Sequence, residues 1–272
     1  MISTSGFDCS VTFPLTKKAT MTRFNYVVCL ALFASVPACV TLGEEEDVVL
    51  ASDESEARRT TPQPTENPVT LGGGNFIDAC IQPGATRAVF NPTSSFDATD
   101  EGVTAALDLP FAFRLYGTTH SKFWITPNGQ LGFGATPGGS AFGQVACPLP
   151  NAALTKPTLL IYSADLVGRI DDPNAGVCFA TVGTAPYRKL VVTWKDSFFY
   201  EAWLTSNVTF SAILNEGTNV ADVAIDRVDA PTLPSYETGY GAVLGRQAGG
   251  SGYAYSCSQP RAPEGTIIHY SP

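Results

Sequence analysis

Residues 207–226 read NVTFSAILNEGTNVADVAID, and the fold class follows from them. Val208, Phe210, Ala212 and Leu214 alternate with Asn207, Thr209, Ser211 and Ile213, a period of two that belongs to a strand rather than a helix. Asn215-Glu216-Gly217-Thr218-Asn219 turns the chain, after which Ala221, Val223 and Ile225 alternate with Asp222, Ala224 and Asp226. The pattern predicts a β-hairpin with one face buried and the other wet. Upstream, Leu190, Val192 and Trp194 alternate with Lys189, Val191 and Lys195, and Val177, Phe179 and Thr181 precede them across Gly183-Thr184-Ala185-Pro186. Phe123–Thr126 and Gln130–Phe133 flank Pro127-Asn128-Gly129, where Asn-Gly predicts a type I′ hairpin turn. Short runs at 158–162, 240–244, 253–257 and 266–270 bring the expectation to about ten to twelve mostly antiparallel strands. No segment beyond residue 70 keeps a helical period for more than two turns. Short strands punctuated by Gly and Pro predict an all-β sandwich over 71–272.

Composition narrows the function. The 272 residues carry 25 Asp and Glu against 16 Lys and Arg, a net charge of −9, so the chain lacks the basic face that phosphate contacts require and no nucleic-acid partner is expected. His120 and His269 are the two histidines, too few for His-based metal or triad chemistry of the usual kind. The nearest approach to a nucleophile elbow, Gly138-Gly139-Ser140-Ala141-Phe142, fails at its last position. The glycines between 129 and 138 open no helix, so no phosphate cradle is indicated. The chain is not expected to be an enzyme.

The first 70 residues have different physics. Residues 24–37 read FNYVVCLALFASVP, uncharged but shorter than the ~20 residues a spanning helix needs. The run follows Arg23 and ends in small residues, the order of an export signal over 1–38, with Met21 as a candidate true start. Val36-Pro37-Ala38-Cys39 resembles a bacterial lipobox, with Pro37 where Ala, Ser or Thr is usual. That resemblance implies lipidation of Cys39 and a membrane as partner through the lipid anchor. With Val40 rather than Asp following the cysteine, it implies an outer-membrane lipoprotein, facing the periplasm or the cell surface. The alternative is an ordinary signal peptidase site with Cys39 a bystander. Residues 39–69 hold eight acids against Arg58 and Arg59, with prolines at 62, 64 and 68, a composition that cannot bury enough apolar area to offset its ordering entropy. We expect 39–70 to be a disordered acidic tether.

Cys9 and Cys29 fall in the export segment, and lipidation takes Cys39, leaving Cys80, Cys147, Cys178 and Cys257. Four cysteines in an exported domain predict two disulfides with three possible pairings. No CxxC is present, so zinc-ribbon and thioredoxin motifs are excluded by spacing. The expected pairing is Cys147–Cys178 and Cys80–Cys257, the second tying the domain's ends.

Several pieces, in order, are similar to a known family. Phe111-Ala112-Phe113-Arg114-Leu115-Tyr116-Gly117 and Trp124-Ile125-Thr126-Pro127-Asn128-Gly129-Gln130-Leu131-Gly132-Phe133-Gly134 resemble the F-x-F-x-F-Y-G … V-x-S-N-G-x-L-x-F-G core of the nidogen-type extracellular domain. Ile161–Leu166, Gly176–Phe179 with Ala185–Trp194, and Val208–Asn219 resemble its later motifs. Pro127 replaces a small polar residue, and no Trp precedes Asp165. The resemblance spans about 105–270. It implies a β-rich extracellular module of adhesion and matrix proteins, and it transfers no catalytic residues.

Two groups are candidate sites. Asp165, Asp171, Asp172 and Asn174 offer hard oxygen ligands suited to Ca²⁺, although Asp-Asp-Pro-Asn also reads as a plain turn. Ca²⁺ is the one cofactor the sequence raises. Phe199, Tyr200 and Trp203 lie in an aromatic cluster that could bind a partner or the face of a sugar. The leading expectation is a lipid-anchored, non-catalytic module binding a surface or matrix protein. A glycan-binding module using Tyr200 and Trp203 is the alternative, and a secreted hydrolase with an unrecognised site is the third.

Overall fold

The computed structural model describes residues 76–93, 97–138 and 145–272. The expected export segment, the lipobox at Cys39, the Met21 start and the acidic tether lie outside the described residues. Among these residues no helix is long and apolar enough to cross a membrane.

Nearly all regular structure is β. A 3₁₀ turn at Ala79–Ile81 leads into β1 (Thr86–Arg87), β2 (Phe90–Pro92), the one-turn helix α1 (Ala98–Glu101) and β3 (Gly102–Thr104). Then come β4 (Leu107–Leu115), β5 (Thr118–Thr126), β6 (Gln130–Phe133), β7 (Thr158–Ser163) and β8 (Leu166–Val167). β9 (Gly176–Val182) and β10 (Lys189–Phe199) are followed by β11 (Asn207–Asn215) and β12 (Ala221–Asp229). β13 (Val243–Ala248), β14 (Ser251–Cys257) and β15 (Ile267–Tyr270) close the chain. The count of fifteen exceeds the expected ten to twelve because β1, β2, β3 and β8 are only two or three residues long.

Two antiparallel sheets form the sandwich. One runs β14-β13-β7-β6-β5-β4, the other β1-β9-β10-β11-β12-β15 with β8 also on β10, and β2 pairs β3 separately. The 207–226 hairpin forms as its alternation requires, with Leu214 opposite Ala221 and Phe210 opposite Ile225. Phe113, Phe123, Leu131, Phe133 and Ile161 from the first sheet meet Leu190, Val192, Trp194, Phe210, Leu214 and Val223 from the second in one core. Trp194 stacks on Phe210 with ring centroids 5.0 Å apart, and Tyr162 packs against the same ring at 5.3 Å.

The wet face predicted for the hairpin is not wet. Val191 and Ile213, on the outward side, are buried with Ala79, Cys178 and Ala180 in a second cluster. The segment around the 79–81 turn lies over them. The Ala79 amide donates to Thr193 Oγ1 (2.9 Å), Ser211 Oγ donates to the Ile77 carbonyl (2.9 Å), and Lys195 Nζ pairs with Asp78 (2.7 Å). The sequence carried the signal, since apolar residues at 191 and 213 stand where a solvated face would put polar ones.

The disulfide pairing also differs from expectation. The bridges are Cys80–Cys178 and Cys147–Cys257, not Cys147–Cys178 and Cys80–Cys257. Cys178 lies in β9 under the 79–81 turn. Cys147 lies in a segment whose Val145, Leu149 and Leu154 cover Leu160 and Val243 on the outer side of the other sheet. Each bridge thus pins a covering segment to the outer side of one sheet. Sequence spacing contains no record of which sheet a cysteine joins.

The Pro127-Asn128-Gly129 turn departs from type I′. Thr126 pairs with Gln130, so three residues form the loop, and only Gly129 among them has a positive φ (70°). Proline cannot take a positive φ, and the left-handed position falls to the glycine that closes the loop.

Candidate functional site

An irregularity in β10 builds the end of the sandwich where the candidate residues gather. β9 pairs β10 as far as Lys195, the register against β11 then shifts, and beyond it Phe198 and Phe199 pair with Val167 and Leu166 of β8. That change of partner sets the β7–β8 turn, which holds Asp165, beside the 3₁₀ turn at Tyr200–Ala202. The Tyr200 amide donates to the Asp165 carbonyl over 2.9 Å.

α1 arrives from the other side. Asp97 caps it, its carboxylate accepting from the Thr99 amide and hydroxyl at 2.8 Å each, and these bonds hold the Asp97 carboxyl below its usual range. The Gly168 amide donates to the Thr99 carbonyl (2.8 Å), joining the end of β8 to the helix. Asn128, fully buried, completes the frame. Its Nδ2 donates to Glu101 Oε2 (3.2 Å), while its Oδ1 accepts from the Leu166 amide (2.7 Å).

The outcome is a trio of carboxylates from separate parts of the chain. One oxygen each from Asp100, Glu101 and Asp165 lies within 4.8 Å of the other two, with Asp100 and Glu101 buried. Burial, and then the nearby Asp165 charge, raises the Asp100 carboxyl above its usual range. Burial, and then Glu201, does the same to Asp165. At an effective dielectric of about 20, two unit charges 4.8 Å apart repel by roughly 3 kcal/mol.

Of the four residues proposed as oxygen ligands, the structure brings Asp165 into this trio. Asp171 pairs with Arg169 (3.5 Å), and Asp172 accepts the Asn174 amide (2.8 Å) in a local turn. Asp100, Glu101 and Asn128 were missed. The first two sit in Asp97-Ala98-Thr99-Asp100-Glu101, whose capping aspartate and first-turn acids are a helix-start signal. Asn128 was hidden by its reading as a turn residue.

Beside the trio the surface is aromatic. Tyr200 and Trp203 are each 50% exposed, and Ile170, Leu204 and Tyr240 are exposed as well. Trp203 stacks on Phe198 (6.4 Å) and meets Tyr200 nearly edge-on (6.5 Å, 79°). The Arg169 guanidinium lies 4.3 Å from the centre of the Phe198 ring. Phe199, grouped with these residues in the sequence, is 1% exposed and points into the core against Tyr162 and Tyr236. It is a support and not a contact residue, because consecutive strand side chains point to opposite faces. The Tyr162 hydroxyl donates to the Tyr236 carbonyl (3.1 Å), and the Tyr236 hydroxyl donates to Glu201 (3.0 Å). Burial, reinforced by that bond to Glu201, pushes the Tyr236 hydroxyl up.

The histidines lie in strands away from these motifs. His120 in β5 packs on the Phe133 ring, and burial lowers its pKa. His269 Nδ1 is 2.5 Å from Asp222 in a shallow groove lined by Ile77, Lys189, Ile213, Asp222, Ala224 and Ile267, with no serine or cysteine among them.

No curated protein and no solved structure matches the chain. The disulfides together with an extracellular-type domain mark the chain as an exported protein. Residues 81–266, more than half the chain, match the family described as NIDO related, and the chain belongs to that family.

Proposed function

We propose that this protein is a lipid-anchored envelope protein whose sandwich binds a surface or matrix protein without catalysis, through the patch formed by Tyr200 and Trp203. The observation that carries the reading is the presentation of these rings. Both stand half exposed on a short 3₁₀ turn that the Asp165 carbonyl fixes from beneath. Half-exposed aromatic side chains with few rotatable bonds are the usual anchors of protein contacts. The near-perpendicular rings and the exposed Leu204 that follows Trp203 favour an apolar protein surface over the flat face of a sugar. Cys39 carries the anchor in this reading.

Capture from envelope fractions with the full chain tests the surface. A species retained by wild type and lost with Trp203→Ala supports the reading, and equal retention by both sinks the patch. Hits on a glycan array that vanish in Trp203→Ala would replace a protein partner with a sugar. Labelled palmitate incorporated by wild type but not by Cys39→Ser supports the anchor, and equal labelling removes it.

A further inference from the structure

The carboxylate trio gathers three acids, two of them buried, from separate segments. Asp100 and Asp165 come from segments 65 residues apart, and Asn128 together with the Thr99–Gly168 bond ties α1 to β8. Among the described residues neither Asp100 nor Asp165 has a lysine or arginine partner. A separate observation points to a missing ligand. Asp100 is 8% exposed, and its Oδ1 is buried without a hydrogen-bond partner. A buried carboxylate oxygen with nothing to accept from is costly unless a cation or a proton occupies the space before it.

We propose that Asp100, Glu101 and Asp165 form a Ca²⁺ site. Hard carboxylate oxygens suit a hard divalent cation, and their number points to the larger one. Ca²⁺ takes six to eight oxygens in flexible geometry and accepts several carboxylates, as the convergence of Asp100, Glu101 and Asp165 supplies. Mg²⁺ demands near-octahedral order, keeps several waters and is usually held by one or two carboxylates. Three protein carboxylates leave positions for water, so the affinity belongs in the range of extracellular modules, a Kd of roughly 10⁻⁴–10⁻³ M. The site has a structural consequence, which rests on the proposed partner surface. The Asp165 carbonyl holds the Tyr200 amide, so fixing Asp165 fixes the turn that presents Tyr200 and Trp203.

Calorimetric titration of the full chain with CaCl₂ at pH 7.5, after EDTA treatment and desalting, is the direct test. One Ca²⁺ per chain is expected, with Tm raised by about 3–10 °C at 10 mM Ca²⁺ and much less by Mg²⁺. Asp100→Asn and Asp165→Asn keep the side-chain shape and remove one negative charge each. In EDTA each variant should be as stable as wild type or more so, while the Ca²⁺ heat and the Ca²⁺-induced rise in Tm are lost. That crossing of signs is not produced by a merely structural carboxylate, whose removal lowers stability in both conditions. Absence of heat and of any Tm shift in wild type up to 10 mM Ca²⁺ overturns the site, leaving a proton shared among the carboxyls. Undiminished binding in both variants places the ion elsewhere and overturns it equally. Partner capture is scored separately: Ca²⁺ binding without Trp203-dependent capture refutes the proposed surface and leaves the metal site standing, and the converse result refutes the metal site alone.

Discussion

The indole Nε1 of Trp194 in β10 donates to the backbone carbonyl of Thr126 in β5 over 2.8 Å, a hydrogen bond that crosses the core from one sheet to the other. Trp194 has no exposed surface. Trp194→Phe retains an aromatic ring for Phe210 but removes the donor and leaves unfilled volume. We expect a loss of about 2–4 kcal/mol, combining a buried acceptor deprived of its partner with a cavity term. Urea denaturation of the two proteins measures it, and a difference below about 0.5 kcal/mol would show that the bond adds nothing to the aromatic packing.

The two bridges make a sharp chemical statement. Proteolysis without reduction should release peptides joined as Cys80–Cys178 and Cys147–Cys257. Replacing both members of the first pair by serine should cost about 2–5 kcal/mol, since each bridge closes a loop of roughly a hundred residues. The loss should come with increased hydrogen exchange at Val191 and Ile213, because the same bridge holds their cover in place. Peptides joined as Cys80–Cys257 would refute the assignment.

Gly129 cannot be replaced. Its φ is 70°, and a Cβ there would stand 2.2 Å from the Tyr162 carbonyl oxygen. Gly129→Ala therefore combines left-handed strain of about 1 kcal/mol with a clash against backbone that is itself in β7. The expected loss is about 2–4 kcal/mol, read as a lower urea midpoint, and a neutral variant would mean that the β5–β6 turn can rebuild itself.

Acid stability should depend on one half-buried pair. The Arg188 guanidinium grips the Glu216 carboxylate through Nε (2.9 Å) and a terminal nitrogen (2.6 Å), and the Arg188 amide adds a third donor. These bonds lower the Glu216 carboxyl from 4.5 to about 2. A carboxylate depressed on folding contributes stability that is fully present above the unfolded pKa and is lost as pH falls through the folded one. Wild type should thus lose this contribution between pH 4.5 and about 2, and Glu216→Gln should flatten that limb of the Tm–pH curve. An unchanged acid limb in the variant would place the acid sensitivity in other carboxylates.

The strands were legible because each carries its own period. The 207–226 hairpin, the run through Leu190, Val192 and Trp194, and the short C-terminal strands need only local alternation to be read. What covers the sheets was less legible. Val191 and Ile213 hinted at a cover, but nothing near them named Ile77 or Ala79, which lie more than a hundred residues earlier. The same physics hid the disulfide pairing, which depends on which sheet each cysteine joins. The carboxylate trio was half visible, with Asp165 picked for its oxygen chemistry and grouped with its neighbours in sequence. Its partners in space, Asp100 and Glu101, reach it through Asn128, a residue whose local turn chemistry masked a long-range role.

The Cys80–Cys178 bridge also determines how the domain meets a pull. Tension arriving along the chain at residue 76 reaches Cys80 four residues later and passes through sulfur into β9, in the interior of a sheet. Residues 81–177 lie inside the covalent loop and carry none of that load. Load on the N-terminal side therefore meets the sheet at Cys178, opposite Thr193 of β10, and the ninety-odd residues inside the loop stay folded until β9 itself lets go.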